Sequence, residues 1–354
     1  RASSTIWQPG EYDFFSRAFL MLTSIRSASK WVRQLPWCAA AILVCVCFVS
    51  VNALAYQHAR AMLWFVRNGL RTPRPSQLST LEKIAVLTTG IRVPRPENDR
   101  TPLDVGLNFH TKRIEVGSKI VLEAWVLPVD RSQGTVLLLH GCAGTKCDLL
   151  AEAKAFHDLG YVVWLVDFRG SGGSSENYTT IGFSEADDVA ATVNRIHEDF
   201  EDLPLIVYGR SMGAAAILRA LHTHKAKVDA VILQSVFDRL QTTVGNRFRL
   251  MGLPTYPAAN LLVFWGGICT GFNGNEHNPV EYARSCHCPT LFLHGEIDPN
   301  ARLQEARNVR KQTHDRASEL VVLEKTGHTP TVKADFALWK DAVSRLLARV
   351  PRDQ

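Results

Sequence analysis

From Lys112 onward the apolar positions fall into short, nearly continuous runs separated by amphipathic stretches. The runs are Thr135 to Leu139, Tyr161 to Val166, Leu205 to Tyr208, Val228 to Leu233, Thr290 to Leu293 and Leu320 to Leu323. Ahead of them, Lys112 to Val116 and Ile120 to Leu127 read as a hairpin around Gly117 and Ser118. Runs without polar alternation predict strands covered on both faces. Helical spacing fills most of the gaps, over Asp148 to Leu159, Glu185 to Glu198, Met212 to His224, Ala301 to Thr313 and Lys333 to Arg349. This alternation predicts a mostly parallel sheet flanked by helices, in one α/β domain over residues 105–354. More than fifty residues separate Leu233 from Thr290, so a lid insertion is expected at about 238–285. Within it the apolar stretch Leu261 to Phe272 suits an acyl-binding wall or a membrane-facing gate, with Gly266 and Gly267 as a hinge; simple packing on the core is the alternative.

The amino-terminal third has a different pattern. No charged residue occurs from Leu35 to Gln57, and Trp37 to Tyr56 alone would span ~30 Å as a helix, the thickness of the hydrocarbon layer. A single-pass transmembrane anchor over 35–57 is the reading; a cleavable signal peptide ending at Ala53-Leu54-Ala55 and a buried core helix are its competitors. The flank 1–34 begins with arginine rather than methionine, which suggests processing or a fragment. Orientation stays open because four basic residues lie on each side: Arg17, Arg26, Lys30 and Arg33 before the segment, and Arg60, Arg67, Arg71 and Arg74 after it. Residues 58–104 read as a juxtamembrane helix, Ala59 to Leu70, lying at a membrane surface or packing on the core, followed by a proline-rich linker.

Charge and cysteine content alter this picture little. The formal net charge is +6, but residues 1–104 hold 13 Lys/Arg against 6 Asp/Glu while residues 105–354 hold 27 against 28. The basic excess therefore sits around the apolar segment, which points to a membrane rather than to nucleic acid. Eight cysteines are present, three of them in the apolar segment, and the five left over cannot all pair. Cys286-His287-Cys288 lacks a second ligand pair at zinc spacing, so no metal is expected there.

The chemistry concentrates at the carboxyl ends of the runs, where open α/β sheets carry their sites. Leu205 to Ala220 is an apolar run, a Gly209-Arg-Ser-Met-Gly213 centre and then helix-forming residues, the context that sets a serine on a sharp strand-to-helix turn. Ser211 is the candidate nucleophile, with the Met212 N–H behind it at a helix start. His140-Gly-Cys-Ala-Gly144 follows another run, and its Cys142 N–H is the second candidate donor of an oxyanion hole. Asp298 and His328 follow the last two runs, in the chain order Ser, Asp, His expected with such an elbow. Glu296 competes with Asp298 as the acid, and His140 and His294 compete with His328 as the base. The Cys142 thiol would need its own base to act as a nucleophile. Asp167-Phe-Arg-Gly-Ser-Gly-Gly-Ser174 lacks the Gly-Lys-Ser/Thr of a phosphate-binding loop and reads as structural.

With these motifs in place, the chain from about Lys112 to Val350 resembles the α/β-hydrolase superfamily. Leu-His-Gly-Cys-Ala-Gly, Asp-Phe-Arg-Gly-Ser-Gly-Gly-Ser, Tyr-Gly-Arg-Ser-Met-Gly and Leu-His-Gly-Glu-Ile-Asp are similar to those of its serine aminopeptidase-like, Bem46-like group, many of whose members carry an amino-terminal anchor. The resemblance implies a Ser211, Asp298, His328 triad with Cys142 and Met212 as the oxyanion hole, and no cofactor. It departs from the group at Cys142, where Asn or another residue is common, and at Ala214, where a further glycine is frequent. Esterases, thioesterases, lipases and peptidases all occur in this group. The expectation is a membrane-anchored hydrolase of small-molecule or lipid-like carboxylic esters or thioesters with an apolar acyl group. A peptidase with the same triad and an inactive interaction protein are the alternatives; oligomeric state is left open.

Overall fold

A computed structural model describes the backbone from Tyr12 to Val350 except at 68 and 74–76, with side chains from Trp37 onward except at 87. The first eleven residues and the side chains of the 1–34 flank lie outside the described residues. The chain divides into two compact units between Ala53 and Leu54. Helix α1 (Tyr12–Leu63) contains, from Trp37 to Leu63, the one stretch among the described residues long and apolar enough to cross a membrane by length and composition. Its large side chains from Trp37 to Val51 are exposed.

In the second unit, α1 stops at Leu63, and Trp64 and Val66 form β-bridges with Tyr178 and Pro94. Ala59, Leu63 and Phe65 are buried, so the stretch Ala59 to Leu70 is only partly helical and packs on its neighbours. Helix α2 (Thr80–Thr89) follows, started by a Ser79/Glu82 capping box that satisfies two of its orphan amides. The proline-rich stretch beyond it is tied down: Arg95 donates to the carbonyl of Gly172 at 2.7 Å and of Ser174 at 2.5 Å, and Asn98 donates to Asp167 at 2.8 Å.

Eight strands make one sheet: β1 (His110–Val116), β2 (Ile120–Leu127), β3 (Thr135–Leu139), β4 (Val162–Val166), β5 (Leu205–Arg210), β6 (Ala230–Gln234), β7 (Thr290–Gly295) and β8 (Glu319–Leu323). Their spatial order is β1-β2-β4-β3-β5-β6-β7-β8, with β2 antiparallel to β1 and β4 and the other neighbours parallel. The period of two divides each central strand between two cores. Leu137, Leu139, Val207 and Leu233 face α4 (Glu185–Asp199), α5 (Met212–Thr223) and α9 (Leu303–Arg310). Val136, Leu138, Ile206 and Ile232 face α3 (Leu150–Asp158) and α11 (Phe336–Leu347), where Trp339 is fully buried against Phe156. The long interval after β6 holds α6 (Leu240–Leu250), α7 (Ala258–Thr270) and α8 (Pro279–Tyr282), and α10 (Thr331–Ala334) precedes α11.

One core position runs against the apolar pattern. Glu152 on α3 is fully buried, and neither carboxylate oxygen has a hydrogen-bond partner among the described residues. Burial pushes its carboxyl up to about 7, against the opposing charges of Arg210 and Lys333. An unfolded glutamate titrates near ~4.3, so between those values the folded chain keeps a proton the unfolded chain has lost, and stability falls as pH rises through the window. Glu152→Met keeps the volume and removes the charge. Its melting curves should show a gain on the order of 3 kcal/mol at pH 8 that shrinks toward pH 5. Equal destabilisation at both pH values would show that the carboxylate is tolerated without penalty.

Candidate active site

Strand β5 runs into α5 through Ser211, whose backbone sits at φ 54° and ψ −107°, a conformation that side-chain-bearing residues rarely adopt. The flanking glycines make it possible. A Cβ on Gly213 would lie 2.6 Å from the Leu139 carbonyl oxygen, and one on Gly209 would lie 2.5 Å from both Gly213 and the Ile217 side chain. The turn is fastened from below, where the Ser211 N–H donates to the Gln234 carbonyl at 2.8 Å. Met212 supplies the first amide of α5, which has no intrahelical acceptor.

Beside the elbow lies the turn after β3. A Cβ on Gly141 would approach the Ser211 Cβ at 3.7 Å, so residues 140–144 border the serine directly. His140 is fully buried and shapes this turn. Its Nε2 accepts the Phe168 N–H at 3.0 Å, which leaves Nδ1 to donate to the Gly141 carbonyl at 2.8 Å. Burial lowers its pKa and keeps the ring neutral. Burial likewise raises the Cys142 thiol above its ordinary value, which disfavours the thiolate and leaves its amide as the candidate group.

From the other side come the loops after β7 and β8. Asp298 is buried, and its Oδ1 accepts the Asn300 and Ala301 amides at 2.9 and 3.0 Å. Its Oδ2 faces His328 Nδ1 at 2.7 Å. Burial pushes the Asp298 carboxyl up, but the hydrogen bond and charge of His328 together with the Ala301 amide outweigh it and hold the acid below its ordinary value. The competing candidates point elsewhere. Glu296 is exposed and accepts the Lys325 N–H at 3.0 Å, while buried His294 meets the Ala301 carbonyl through Nε2 at 2.8 Å and so steadies the Asp298 loop.

Ser211 and His328 line one cleft of about 430 Å³, together with Gly141, Cys142, Asn300 and Pro330. A larger cavity of about 740 Å³ opens near the amino ends of β5 to β7, lined by residues such as Glu201, Lys227 and Cys288. Ser211 belongs to the opposite, carboxyl ends of the strands, so the smaller cleft is the one that matters for its chemistry. Leu261 to Phe272 contribute nothing to the lining of the Ser211 cleft. The expected acyl wall is instead α7, with Trp265 edge-on to Tyr56 at 5.6 Å between ring centroids and Phe264 exposed. Nor do its glycines form a hinge: they lie inside the helix, and a Cβ on Gly267 would meet the Phe272 carbonyl oxygen at 2.4 Å.

Three features escaped the sequence reading. Gln234 joins the elbow to the histidine loop, since its carbonyl holds the Ser211 amide and its Nε2 donates to the Thr329 carbonyl at 3.0 Å. Lys146 is fully buried, 2.5 Å from Asp167 and 2.8 Å from Glu123, with its ammonium 4.2 Å from the Trp125 ring centroid. It anchors the glycine-rich loop that begins at Asp167. Arg71, Arg100, Arg210, Arg247 and Lys333 line the cleft itself. Only Arg210, inside the Gly-Arg-Ser-Met-Gly centre, carried any local signal of its position.

The comparisons bear on the fold that carries this site. The family model for the serine aminopeptidases, S33, matches residues 130–260. The protein bem46 of Schizosaccharomyces pombe is 23% identical over 207 residues, covering 57% of this chain and 64% of its own. The chain has the α/β-hydrolase fold and is similar to the Bem46-like proteins. It is also 28% identical over 189 residues to the lysophosphatidylserine lipase ABHD12 of Macaca fascicularis, covering 50% of this chain and 45% of that one. The chain thus spans between 45% and 64% of the length of these two relatives. Among solved structures, the Pyrococcus furiosus esterase Pf2001 superposes with a TM-score of 0.61 at 24% identity, over 73% of this chain and 97% of its own, a likeness of fold.

Proposed function

We propose that this Bem46-like α/β-hydrolase is a membrane-anchored serine hydrolase of carboxylic esters or thioesters. The observation that supports the reading most is the pairing of His328 with Asp298 at 2.7 Å on the same cleft as a serine held at positive φ. Ser211 Oγ attacks the substrate carbonyl carbon while His328 Nε2 takes the hydroxyl proton, and the carbonyl oxygen becomes an oxyanion facing the Cys142 and Met212 amides. Collapse of that intermediate breaks the ester bond, with the proton passing from His328 to the leaving alcohol or thiol. Water, deprotonated by the same imidazole, then cleaves the acyl-enzyme. Asp298 holds Nδ1–H of the imidazole and stabilises its charged form.

The same cleft bears on the peptidase reading. An aminopeptidase substrate brings a charged amine, and a lining of five cations against the lone carboxylate of Asp148 repels it. A fluorophosphonate probe followed by a matched panel of esters, thioesters and aminoacyl amides tests the assignment. Labelling at Ser211 with turnover of the esters or thioesters but not the amides is the expected result. Folded protein that is not labelled would favour an inactive scaffold.

The segment 35–57, whose described part lies in the apolar stretch of α1 that begins at Trp37, is proposed as the anchor. Full-length protein should stay with membranes through high salt and alkaline carbonate and leave with detergent. Release by salt alone would reduce the attachment to screened surface charge.

A further inference from the structure

The hold on Asp298 reaches beyond its own loop into the insertion after β6. The Ala301 amide that donates to Asp298 Oδ1 at 3.0 Å belongs to the same planar peptide unit as the Asn300 carbonyl. In a trans unit the N–H and C=O point in opposite directions, so whatever grips the carbonyl aims the amide. Helix α6 grips it twice: Thr243 Oγ1 and Asn246 Nδ2 each donate to the Asn300 carbonyl at 3.1 Å. Three positions apart on a helix, the two residues share a face, and both are buried. The Asn246 side chain is itself fixed. Arg249 Nη1 donates to its Oδ1 at 2.9 Å, which turns its nitrogen toward Asn300 and toward the Glu305 carboxylate 2.6 Å away. Neither Thr243 nor Asn246 lines the Ser211 cleft.

We propose that Thr243 and Asn246 are positioning residues for Asp298, acting through the peptide unit that joins Asn300 to Ala301. This role presupposes the hydrolase reading above and adds to it what keeps the acid in line. Two donors on the carbonyl polarise the unit, which strengthens donation by its N–H, as in any chain of hydrogen bonds. They also stop the unit from turning. With Oδ1 pinned by the Asn300 and Ala301 amides, Oδ2 is left on the side that meets His328. A loosened unit frees the carboxylate to rotate, and a smaller share of molecules then presents Oδ2 to the imidazole. Helix α6 lies in the insertion rather than in the layers that cover the sheet, so the alignment of the acid depends on that insertion being docked.

The test uses the full chain in neutral detergent with para-nitrophenyl butanoate. At about pH 8 Glu305, pushed up to about 7 by burial, is ionised and accepts from Asn246. Thr243→Val and Thr243→Ala both lack the hydroxyl, whereas Thr243→Ser keeps it and lacks only the methyl. Valine retains the side-chain shape, and alanine favours the helix. Both should lower kcat about fivefold with KM unchanged, the effect of one hydrogen bond, and serine should recover most of the loss. Adding Asn246→Ala to Thr243→Val should bring the fall to about fiftyfold. Unchanged melting temperatures show that the variants are folded; should the double variant unfold, the single ones decide. A second readout needs no turnover. The proton between His328 Nδ1 and Asp298 Oδ2 should resonate far downfield, and Asp298→Asn identifies it by its loss. Its signal should broaden or move upfield in the valine and alanine variants but not in the serine variant.

Equal losses in the serine and valine variants would overturn the positioning role, since shape rather than the hydroxyl would then matter. A rise in KM at constant kcat would overturn it too, because α6 would then act on the wall of the cleft, which it reaches through Arg247. So would parental kinetics in the valine and alanine variants. Each of these results leaves ester turnover by the parent, and with it the hydrolase, intact. A parent that neither labels at Ser211 nor turns over esters, yet whose downfield proton responds to loss of the hydroxyl, would support the hold on Asp298 and overturn the hydrolase. An unmoved proton in that parent's valine and alanine variants would overturn both.

Discussion

Ser211→Ala should abolish fluorophosphonate labelling and lower kcat by about 10⁶, the loss expected when the nucleophile of a serine triad is removed. Stability should hardly change. The backbone at this position is strained at φ 54° and ψ −107°, and alanine carries the same Cβ as serine, so the replacement neither relieves nor adds strain. Glycine does relieve it. Ser211→Gly should be as inactive as the alanine variant yet more stable by about 1 kcal/mol, because the conformational strain removed exceeds the entropy that glycine loses on folding. Chemical denaturation of the two variants beside the parent decides the point. A glycine variant less stable than the parent would mean that the elbow is not strained, and near-parent turnover in either variant would move the nucleophile to another residue.

Asp298→Asn comes next in size. The carboxylate accepts two backbone amides through one oxygen and faces His328 through the other. Asparagine can keep the first arrangement through its carbonyl, so the loop should survive. Its amide nitrogen then faces the ring and donates to Nδ1, which drives the imidazole proton onto Nε2, where it blocks acceptance of the serine proton. A fall in kcat of about 10⁴ is expected, with KM little affected. The pH dependence of stability supplies a separate check. With its pKa below the ordinary value, Asp298 contributes stability that is complete above the unfolded value of about 3.9 and is lost as pH falls through the folded one. The asparagine variant should lack that acid limb. A change confined to KM would demote Asp298 to a residue that shapes the cleft.

The order of secondary elements was legible because apolar runs and helical spacing are local properties of the chain. Ile120–Leu127 and Thr135–Leu139 match their expected bounds at both ends, and the other strands shift by no more than two residues at either end. The larger misses have identifiable causes. The stretch from Ala301 narrows to Leu303–Arg310 because Asp298 holds the Asn300 and Ala301 amides and keeps the start of the stretch in a turn. Ala59 to Leu70 did not continue as a helix because Trp64, Phe65 and Val66 took backbone partners at Tyr178, Asn177, Val93 and Pro94, a choice made by distant chain.

The candidate residues Ser211, Asp298 and His328 could be singled out from sequence alone, because each follows an apolar run in an open α/β sheet and strand ends gather the reactive groups. That placement does not depend on the details of packing. Side-chain surroundings do depend on them. Nothing local marks Lys146 for full burial between Asp167, Glu123 and Trp125, and the apolar content of Leu261 to Phe272 could not say whether it faced the cleft or packed elsewhere. The cations lining the cleft are the plainest case. Residues 105–354 are nearly neutral in sum, with 27 Lys/Arg against 28 Asp/Glu, and the five cations are dispersed from position 71 to position 333. Charge summed along a chain carries no information about charge gathered in space. The sequence by itself determined which elements form and which residues stand at their ends; only the tertiary structure decided which of those residues share a cleft, because long-range packing brings remote segments together regardless of their spacing in the chain.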